Sequence, residues 1–132
     1  MLSWAQLVAA PVEQRIPREP SVQRALNRHM RKLAKRGVTA GQHITKTLIQ
    51  PNELYVLAPN PFPYWLEPNI RHMVLWFNPA FEDLGFGSTR TWVEETVRLK
   101  MMSVQKIHVV ENLPHNRSVP ELRHIHVFLL MR

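Results

Sequence analysis

Apolar residues recur at helical spacing near the start of the chain, which predicts one apolar stripe along a helix. Its members are Val22, Leu26, Met30 and Leu33. Ser21 is of a residue type that caps helices, and Gly37 is of the type that ends them. We therefore predict a helix from Val22 to Arg36, followed by a second, short helix over residues 38–49.

Apolar runs in the remainder of the chain predict four strands, over residues 53–57, 71–77, 104–111 and 122–131. The second run is apolar on both faces, so it is predicted to be a central strand. Three prolines within residues 58–64 predict a rigid loop after the first strand. One face of the last strand carries Leu122, His124, His126, Phe128 and Leu130.

A helix is predicted between the second and third strands, over about residues 89–101. Thr91 and Glu94 have the spacing of a capping box, and Glu94 precedes Arg98 by one turn. The side chains expected to face the core are Trp92, Val93, Val97 and Met101. The order of elements predicts an α+β fold, with a mainly antiparallel sheet and helices packed on one face of it.

The composition limits the fold and excludes several kinds of site. A chain of 132 residues has room for one core, and 11 prolines against 4 glycines indicate stiff loops. Without cysteine there is no disulfide, thiol nucleophile or cysteine-bound metal. No apolar run reaches the ~18–20 residues of a membrane span. We expect an intracellular protein with no membrane partner, in the cytoplasm or, given the Arg-rich and acid-poor start, in the mitochondrial matrix.

Positive charge is concentrated at the start of the chain. Residues 1–50 contain nine Lys or Arg and two Glu, a net charge of +7, whereas residues 51–132 contain eight basic and eight acidic residues. We therefore expect one domain made of a basic helical segment, 1–50, packed on an α+β body, 51–132. A row of cations on the first helix suits the phosphates of RNA or of a nucleotide; it comprises Arg24, Arg28, Arg31, Lys32, Lys35 and Arg36. The alternative is a solvated helix face whose last-turn cations are favoured by the helix dipole.

The last strand carries the strongest candidate chemistry. His124 and His126 are two positions apart, which places their imidazoles ~6.5–7 Å apart on one face, and His72 on the central strand is the expected third member. These groups suit a nucleophile or a general acid and base, because an imidazole pKa of ~6.5 leaves both forms accessible. Three imidazoles also suit zinc, iron or copper, but we favour chemistry without a metal and expect no cofactor. The alternative is a set of core histidines satisfied by neighbouring polar groups.

Other polar and aromatic residues extend the predicted site. Asn112 and Ser118 lie in the loop before the histidine strand, where they are candidates to donate to a substrate oxygen or, alternatively, to cap the loop. Tyr64, Trp65 and Trp76 are candidate stacking surfaces for a base or a sugar, with core packing as the alternative. The remaining histidines are interpreted as surface or interface residues: His29, His43, His108 and His115.

A distinctive run extends from Pro61 to Trp76 and is followed by Asn112, Arg117–Val119 and His124–Val127. This pattern resembles the largely fungal, uncharacterised family that includes the N-acetylglucosamine-induced protein. The resemblance begins at Ser3-Trp4 and extends over most of the chain. The positions that match the family pattern are Pro63, Tyr64, His72, Trp76, Asn112, Ser118, Val119, His124, His126 and Val127.

A strand, an Asn-Pro-Phe-Pro-Tyr turn, a strand, a helix, a strand and a Ser-Val segment precede the His-x-His motif. This order is similar, more remotely, to the histidine triad superfamily. The resemblance implies a HIT-like fold and a nucleotide hydrolase or transferase in which His124 attacks an α-phosphate. It also implies that His126 orients the phosphate and that Asn112 and Ser118 contact its oxygens. Leu122 stands where the superfamily has a further histidine.

Two functions from different classes are expected. The first is binding of a small phosphorylated or sugar-nucleotide ligand, with hydrolysis or transfer at His72, His124 and His126. The second is a non-enzymatic basic accessory subunit that binds RNA within a larger assembly such as a mitochondrial ribosome. An adaptor that binds a protein partner is a third class, because nine of the eleven aromatic residues lie between Tyr55 and Trp92.

Overall fold

The computed structural model describes residues 1–81, 86–101, 103–111, 119 and 122–132. The helices in these ranges are α1 (Trp4–Ala9), α2 (Pro20–Lys35), α3 (Ala40–Thr47) and α4 (Phe86–Lys100). The strands are β1 (Tyr55–Pro59), β2 (Ile70–Phe77), β3 (Val104–Val110) and β4 (His124–Met131). This order confirms the predicted α+β class. Across the described part of the chain, no helix has the length and apolar character needed to cross a bilayer.

The four strands form one antiparallel sheet in the order β1-β2-β4-β3. As predicted, β2 is central: Trp76 pairs with Val56 of β1 on one side and with His124 of β4 on the other. β1 ends at Pro59, two residues beyond the predicted Leu57. A proline fits there because β1 is an edge strand, where one side of the backbone needs no ladder donor.

Helices cover both faces of the sheet, which corrects the prediction that they pack on one face. Val93 and Val97 of α4 are buried in a cluster with Leu75 of β2 and Ile125 of β4. The other face is covered by the first three helices. The physical reason lies in the two central strands, because β2 and β4 are both apolar on both faces and each face needs a layer that excludes water.

Two clusters attach the first three helices to the histidine-bearing face. Leu33 of α2 packs in a cluster that contains Val74 and Trp76. Leu7 of α1 packs in a second cluster with Ile70 and Phe128. Full burial of a leucine side chain contributes roughly 1.5–3 kcal/mol, so these two contacts hold the helices against the sheet.

The helix ends differ in part from those expected. α2 begins with Pro20, and its N-cap residue is Glu19, without a side-chain cap, so Ser21 lies inside the helix. Gly37 ends α2 as predicted: its φ is +66°, and the N–H of Val38 donates to the carbonyl of Leu33 at 3.0 Å. True capping boxes join Ser3 to Gln6 and Thr39 to Gln42.

The predicted capping box of Thr91 and Glu94 is wrong, because α4 already begins at Phe86 and both residues lie inside it. Glu94 instead accepts from Nε of Arg90 at 3.2 Å. The partner of Glu94 is therefore the arginine one turn before it, and not Arg98 one turn after it.

Candidate functional site

Three imidazoles from the two central strands lie side by side. The antiparallel register places His72 opposite Phe128 and His126 opposite Val74, so the two histidines are diagonal neighbours. The ring centroids are 4.9 Å apart for His72 and His126, and 5.4 Å apart for His124 and His126. All three side chains are buried, with 5%, 3% and 5% of the surface of His72, His124 and His126 exposed.

The hydrogen bonds of His72 fix the tautomers of two rings. The backbone N–H of Tyr64 donates to Nδ1 of His72 at 3.1 Å. A neutral His72 therefore carries its proton on Nε2, which donates to Nδ1 of His126 at 2.7 Å. His126 in turn carries its proton on Nε2 and presents that nitrogen as a donor.

His124 has the opposite tautomer. Its Nδ1 lies 2.8 Å from the carbonyl oxygen of Leu122, and a carbonyl only accepts, so Nδ1 carries the proton. The lone pair of the neutral ring is then on Nε2. The ring lies 4.6 Å from Trp76 between centroids, which restricts its orientation. His124 and His126 thus combine one nucleophilic or basic nitrogen with one donor.

The electrostatic environment keeps His72 and His126 neutral. Burial lowers the pKa of His72 well below its usual value, and the neighbouring His126 adds to the effect. Burial, with His124 and Arg18 nearby, lowers the pKa of His126 to about 3. Both rings are uncharged at neutral pH, so their hydrogen bonds keep the directions given above.

A cavity of about 410 Å³ adjoins two of these imidazoles. It lies between the sheet on one side and α2 and α3 on the other. His124 and His126 line it, whereas His72 lies behind His126 and does not. The lining residues Met30, Thr47 and Pro61 are exposed, so the cavity reaches the surface. Its volume falls in the ~300–1,000 Å³ range of small-molecule pockets.

Arg18 is a cavity residue that the sequence analysis missed. Its Nε donates to the carbonyl of Phe62 at 2.8 Å, and its guanidinium lies 5.1 Å from the ring centroid of Tyr64. Burial lowers the pKa of the Arg18 guanidinium below its usual value. Nothing in the local sequence distinguishes this arginine, which lies 54 positions before His72 and reaches the site only through the folded loop around Phe62.

The loop after β1 positions His72 through backbone hydrogen bonds. The backbone N–H of Asn60 donates to the carbonyl of His72 at 2.9 Å, and Oδ1 of Asn60 accepts from the N–H of Phe62 at 2.8 Å. These bonds hold the turn that delivers the N–H of Tyr64 to His72. The Asn-Pro-Phe-Pro-Tyr motif therefore serves the histidines through its backbone.

The three predicted stacking residues have different positions, and Trp65 is exposed and is not part of the described cavity lining. Trp76 lines the cavity and contacts His124. Tyr64 is not among the described lining residues and packs against two of the imidazoles. Its ring centroid is 4.4 Å from that of His72 and 5.4 Å from that of His126. Asn112 and Ser118 lie outside the described residues. Val119, which follows Ser118 in the sequence, is described and lines the cavity.

Two of the histidines interpreted as surface or interface residues belong to the helical wall of the cavity. His29 of α2 and His43 of α3 both line it, and their ring centroids are 5.3 Å apart. Burial and the adjacent His43 lower the pKa of His29. Their place in the cavity wall is not evident from the sequence, because the two rings belong to different helices and His29 packs against Phe62 of a distant loop.

The predicted row of cations forms a separate surface. Each of its members is exposed, and none is among the described lining of the cavity; they are Arg24, Arg28, Arg31, Lys32, Lys35 and Arg36. The row therefore lies on the outer side of α2, while Leu26 and Met30 face the cavity. Of the described Lys and Arg side chains, Arg18 lines the cavity and the six of this row do not.

Among the described residues, no three His, Asp or Glu side chains are arranged to hold a metal ion. His72 and His126 point ring nitrogens at each other at hydrogen-bond distance, which leaves no space for a cation between them. Metal ligation by His72, His124 and His126 would need a different arrangement of the first and third rings.

A family model described as "Protein of unknown function (DUF3605)" matches residues 3–130. The chain belongs to this family. N-acetylglucosamine-induced protein 1 of Candida albicans is 30% identical in an alignment of 90 positions that covers 60% of this chain and 35% of that protein. The chain thus spans about a third of the length of this relative. A crystal structure described as that of HTC1 has a similar fold, with a TM-score of 0.65, 20% identity, and coverage of 100% of this chain and 86% of that one.

Proposed function

We propose that the protein binds a small phosphorylated ligand or sugar nucleotide in the cavity and hydrolyses it or transfers part of it. The observation that carries the proposal is the pair of hydrogen bonds at the cavity wall, between His126 and His72 and between His124 and the carbonyl of Leu122. From these bonds we infer a lone pair on Nε2 of His124 and a proton on Nε2 of His126. If His124 and His126 were only core residues, we would expect packed side chains beside them and not a cavity.

In the proposed reaction His124 is the nucleophile and His126 is the hydrogen-bond donor. Nε2 of His124 attacks the phosphorus and forms a P–N bond, while the bond to the leaving-group oxygen breaks. His126 donates from Nε2 to a phosphate oxygen and so stabilises the charge that develops in the transition state. Water or the hydroxyl of another acceptor then attacks phosphorus, the P–N bond breaks, and its electron pair returns to Nε2 of His124. The acceptor loses one proton to solvent, which balances the proton that the leaving-group oxygen takes from solvent. This chemistry follows the remote resemblance to the histidine triad superfamily. By the same resemblance, Asn112 and Ser118 of this chain contact phosphate oxygens.

Thermal unfolding in the presence of nucleotides tests the proposal. Adenosine monophosphate and uridine diphosphate glucose are the probes, with the wild type, His124→Ala, and Arg98→Ala as the control on the exposed side of α4. Ligand at a hundred times Kd stabilises by ~2.7 kcal/mol, so we expect a clear rise in Tm for wild type and control. His124→Ala is expected to abolish the rise. An equal rise in His124→Ala contradicts the role given to this ring.

A second candidate function is binding of RNA along the outer side of α2. The observation that favours it is the row of six exposed cations, on a helix with no acidic residue in its first turn. Filter binding of single-stranded RNA at several salt concentrations tests it. If the row binds phosphates, charge reversal at Arg28, Arg31 and Lys35 weakens binding and lowers the salt slope by about 0.7–0.9 per lost contact. The same change has no effect on binding in the cavity.

A further inference from the structure

Two imidazoles lie side by side on the helical wall of the cavity. His29 comes from α2 and His43 from α3, with ring centroids 5.3 Å apart and planes at 65° to each other. Both residues are half-buried and line the cavity. Neither ring makes a hydrogen bond to another described residue, and no described side-chain nitrogen that is sealed from solvent lacks a partner. The unbonded nitrogens of the two rings are therefore in contact with solvent.

The pair belongs to the wall that faces the sheet histidines. The ring centroid of His29 lies 5.4 Å from that of Phe62, in the loop after β1. One turn further along α2, Leu33 packs in a cluster with Val74. Val74 is opposite His126 in the sheet register. The helical pair and His126 are therefore on opposite walls of one cavity, so a single ligand can contact both with different groups.

The helical wall has a positive electrostatic potential. The described lining of the cavity contains no aspartate or glutamate. Burial lowers the pKa of His29, and His43 of α3 lowers it further. Arg36 and Lys32 of α2 act in the same direction. The titratable and charged groups around this ring are thus cationic or neutral. A field that opposes a positive charge on His29 attracts a negative charge to the same place.

We propose that His29 and His43 form a second anion subsite in the cavity, which holds a phosphate group other than the one that His124 attacks. This inference rests on the proposed function and narrows its ligand class to diphosphates, such as nucleoside diphosphates and sugar nucleotides. Each neutral imidazole has one N–H donor, so two adjacent rings suit two oxygens of one phosphate group. A proton taken up by either ring makes its bond charge-assisted and stronger.

Isothermal titration calorimetry with adenosine diphosphate and adenosine monophosphate tests the subsite, because the two probes differ by one phosphate group. We expect the wild type to bind the diphosphate at least about tenfold more tightly. The double change His29→Leu and His43→Leu is expected to reduce this ratio to within about twofold, by weakening the diphosphate alone. His108→Leu is the matched control, since His108 is also half-buried and lies outside the described lining. An unchanged ratio in the folded double variant overturns the proposal.

A measurement on the wild type keeps the test decisive if the double variant does not fold. Sulfate is the probe, because it stays a dianion throughout the range in which histidine titrates, so any proton taken up goes to the protein. The ring Cε1–H signals are followed by NMR as a function of pH, in sodium sulfate and in sodium chloride of equal ionic strength. We expect sulfate to move the titration of His29 to higher pH and to shift the signals of His43, while His108 titrates alike in both salts. Identical titrations of His29 in the two salts overturn the proposal.

The two proposals fail in different ways. If both adenosine phosphates bind equally well and their binding requires His124, the second subsite is wrong and the proposed function stands. If the preference for the diphosphate depends on His29 and His43 but binding is unaffected by His124→Ala, the subsite is supported and the role of His124 is wrong.

Discussion

Nε2 of His72 and Nδ1 of His126 are joined by a hydrogen bond of 2.7 Å across two neighbouring strands. The two rings are diagonal in the sheet register, within the reach of long and aromatic side chains. The bond makes His72 a positioning residue. It lies outside the cavity, yet it decides which nitrogen of His126 carries the proton that faces the ligand.

Replacing His72 with leucine is expected to destabilise the protein by about 2–4 kcal/mol. The change leaves Nδ1 of His126 and the N–H of Tyr64 without this partner, and each buried unsatisfied group costs roughly 1–3 kcal/mol. Urea unfolding of His72→Leu, His126→Leu and the double variant measures the coupling. The double variant is expected to lose less than the sum of the single losses. Additive losses would show that the two rings do not interact.

Stability is expected to fall as the pH falls below about 6.5. The folded-state pKa values of His72 and His126 are depressed, that of His126 to about 3, while the unfolded values are near 6.5. Between these values the unfolded state binds more protons, so each ring lowers the free energy of unfolding by up to ~1.4 kcal/mol per pH unit of acidification. Above about pH 7.5 both rings are unprotonated in the folded and the unfolded state, so neither contributes a pH dependence.

Urea unfolding between pH 7.5 and pH 4.5 checks this sign. The wild type is expected to lose stability over that interval, and the variant with leucine at both His72 and His126 is expected to lose less per pH unit. Equal slopes in the two proteins would mean that these rings are not the buried neutral bases described above.

Gly37→Ala is expected to cost about 1 kcal/mol, because Gly37 has φ of +66° and an L side chain is disfavoured in that conformation. No atom lies within 4 Å of the added Cβ, so the cost comes from the backbone alone. Gly37→Asn is the matched variant and is expected to lose less, since asparagine tolerates this region. Chemical denaturation measures both. A larger loss for asparagine than for alanine would contradict the backbone explanation.

The layer formed by α4 is tested by two neighbouring positions. Val97 is buried against the sheet, with 1% of its surface exposed, whereas 84% of Leu99 is exposed. Val97→Ala is expected to destabilise by about 1–3 kcal/mol, and Leu99→Ala by less than ~0.5 kcal/mol. Thermal unfolding of the two variants measures the difference. Similar losses of stability in both variants would mean that α4 is rotated about its axis, so that a different side faces the sheet.

Much of the fold was predictable because local pattern and tertiary environment agree. The apolar stripe that ends in Leu33 predicts α2, and apolar residues on both faces between Ile70 and Phe77 predict a central strand. The prediction of helices on one face was wrong although the same pattern contained the answer: a strand that is apolar on both faces requires a layer on each side.

The site was less predictable, because its parts come from distant segments. The spacing of His124 and His126 indicates a shared face, and His72 was expected to join them. Whether a ring lines the cavity or lies behind another depends on strand register, which the sequence pattern does not specify. Arg18 was missed for a related reason, since its position is fixed by a carbonyl 44 residues away in sequence.

Long-range ¹H–¹⁵N NMR of the histidine rings at pH 7 tests the central claim most directly, because it identifies which nitrogen of each imidazole is protonated. We predict the Nδ1–H tautomer for His124 and the Nε2–H tautomer for His72 and His126, with the signals of His124 and His126 shifting together when adenosine monophosphate is added. An Nε2–H tautomer at His124, or signals from both rings that do not respond to a ligand shown to bind, would contradict the proposed site.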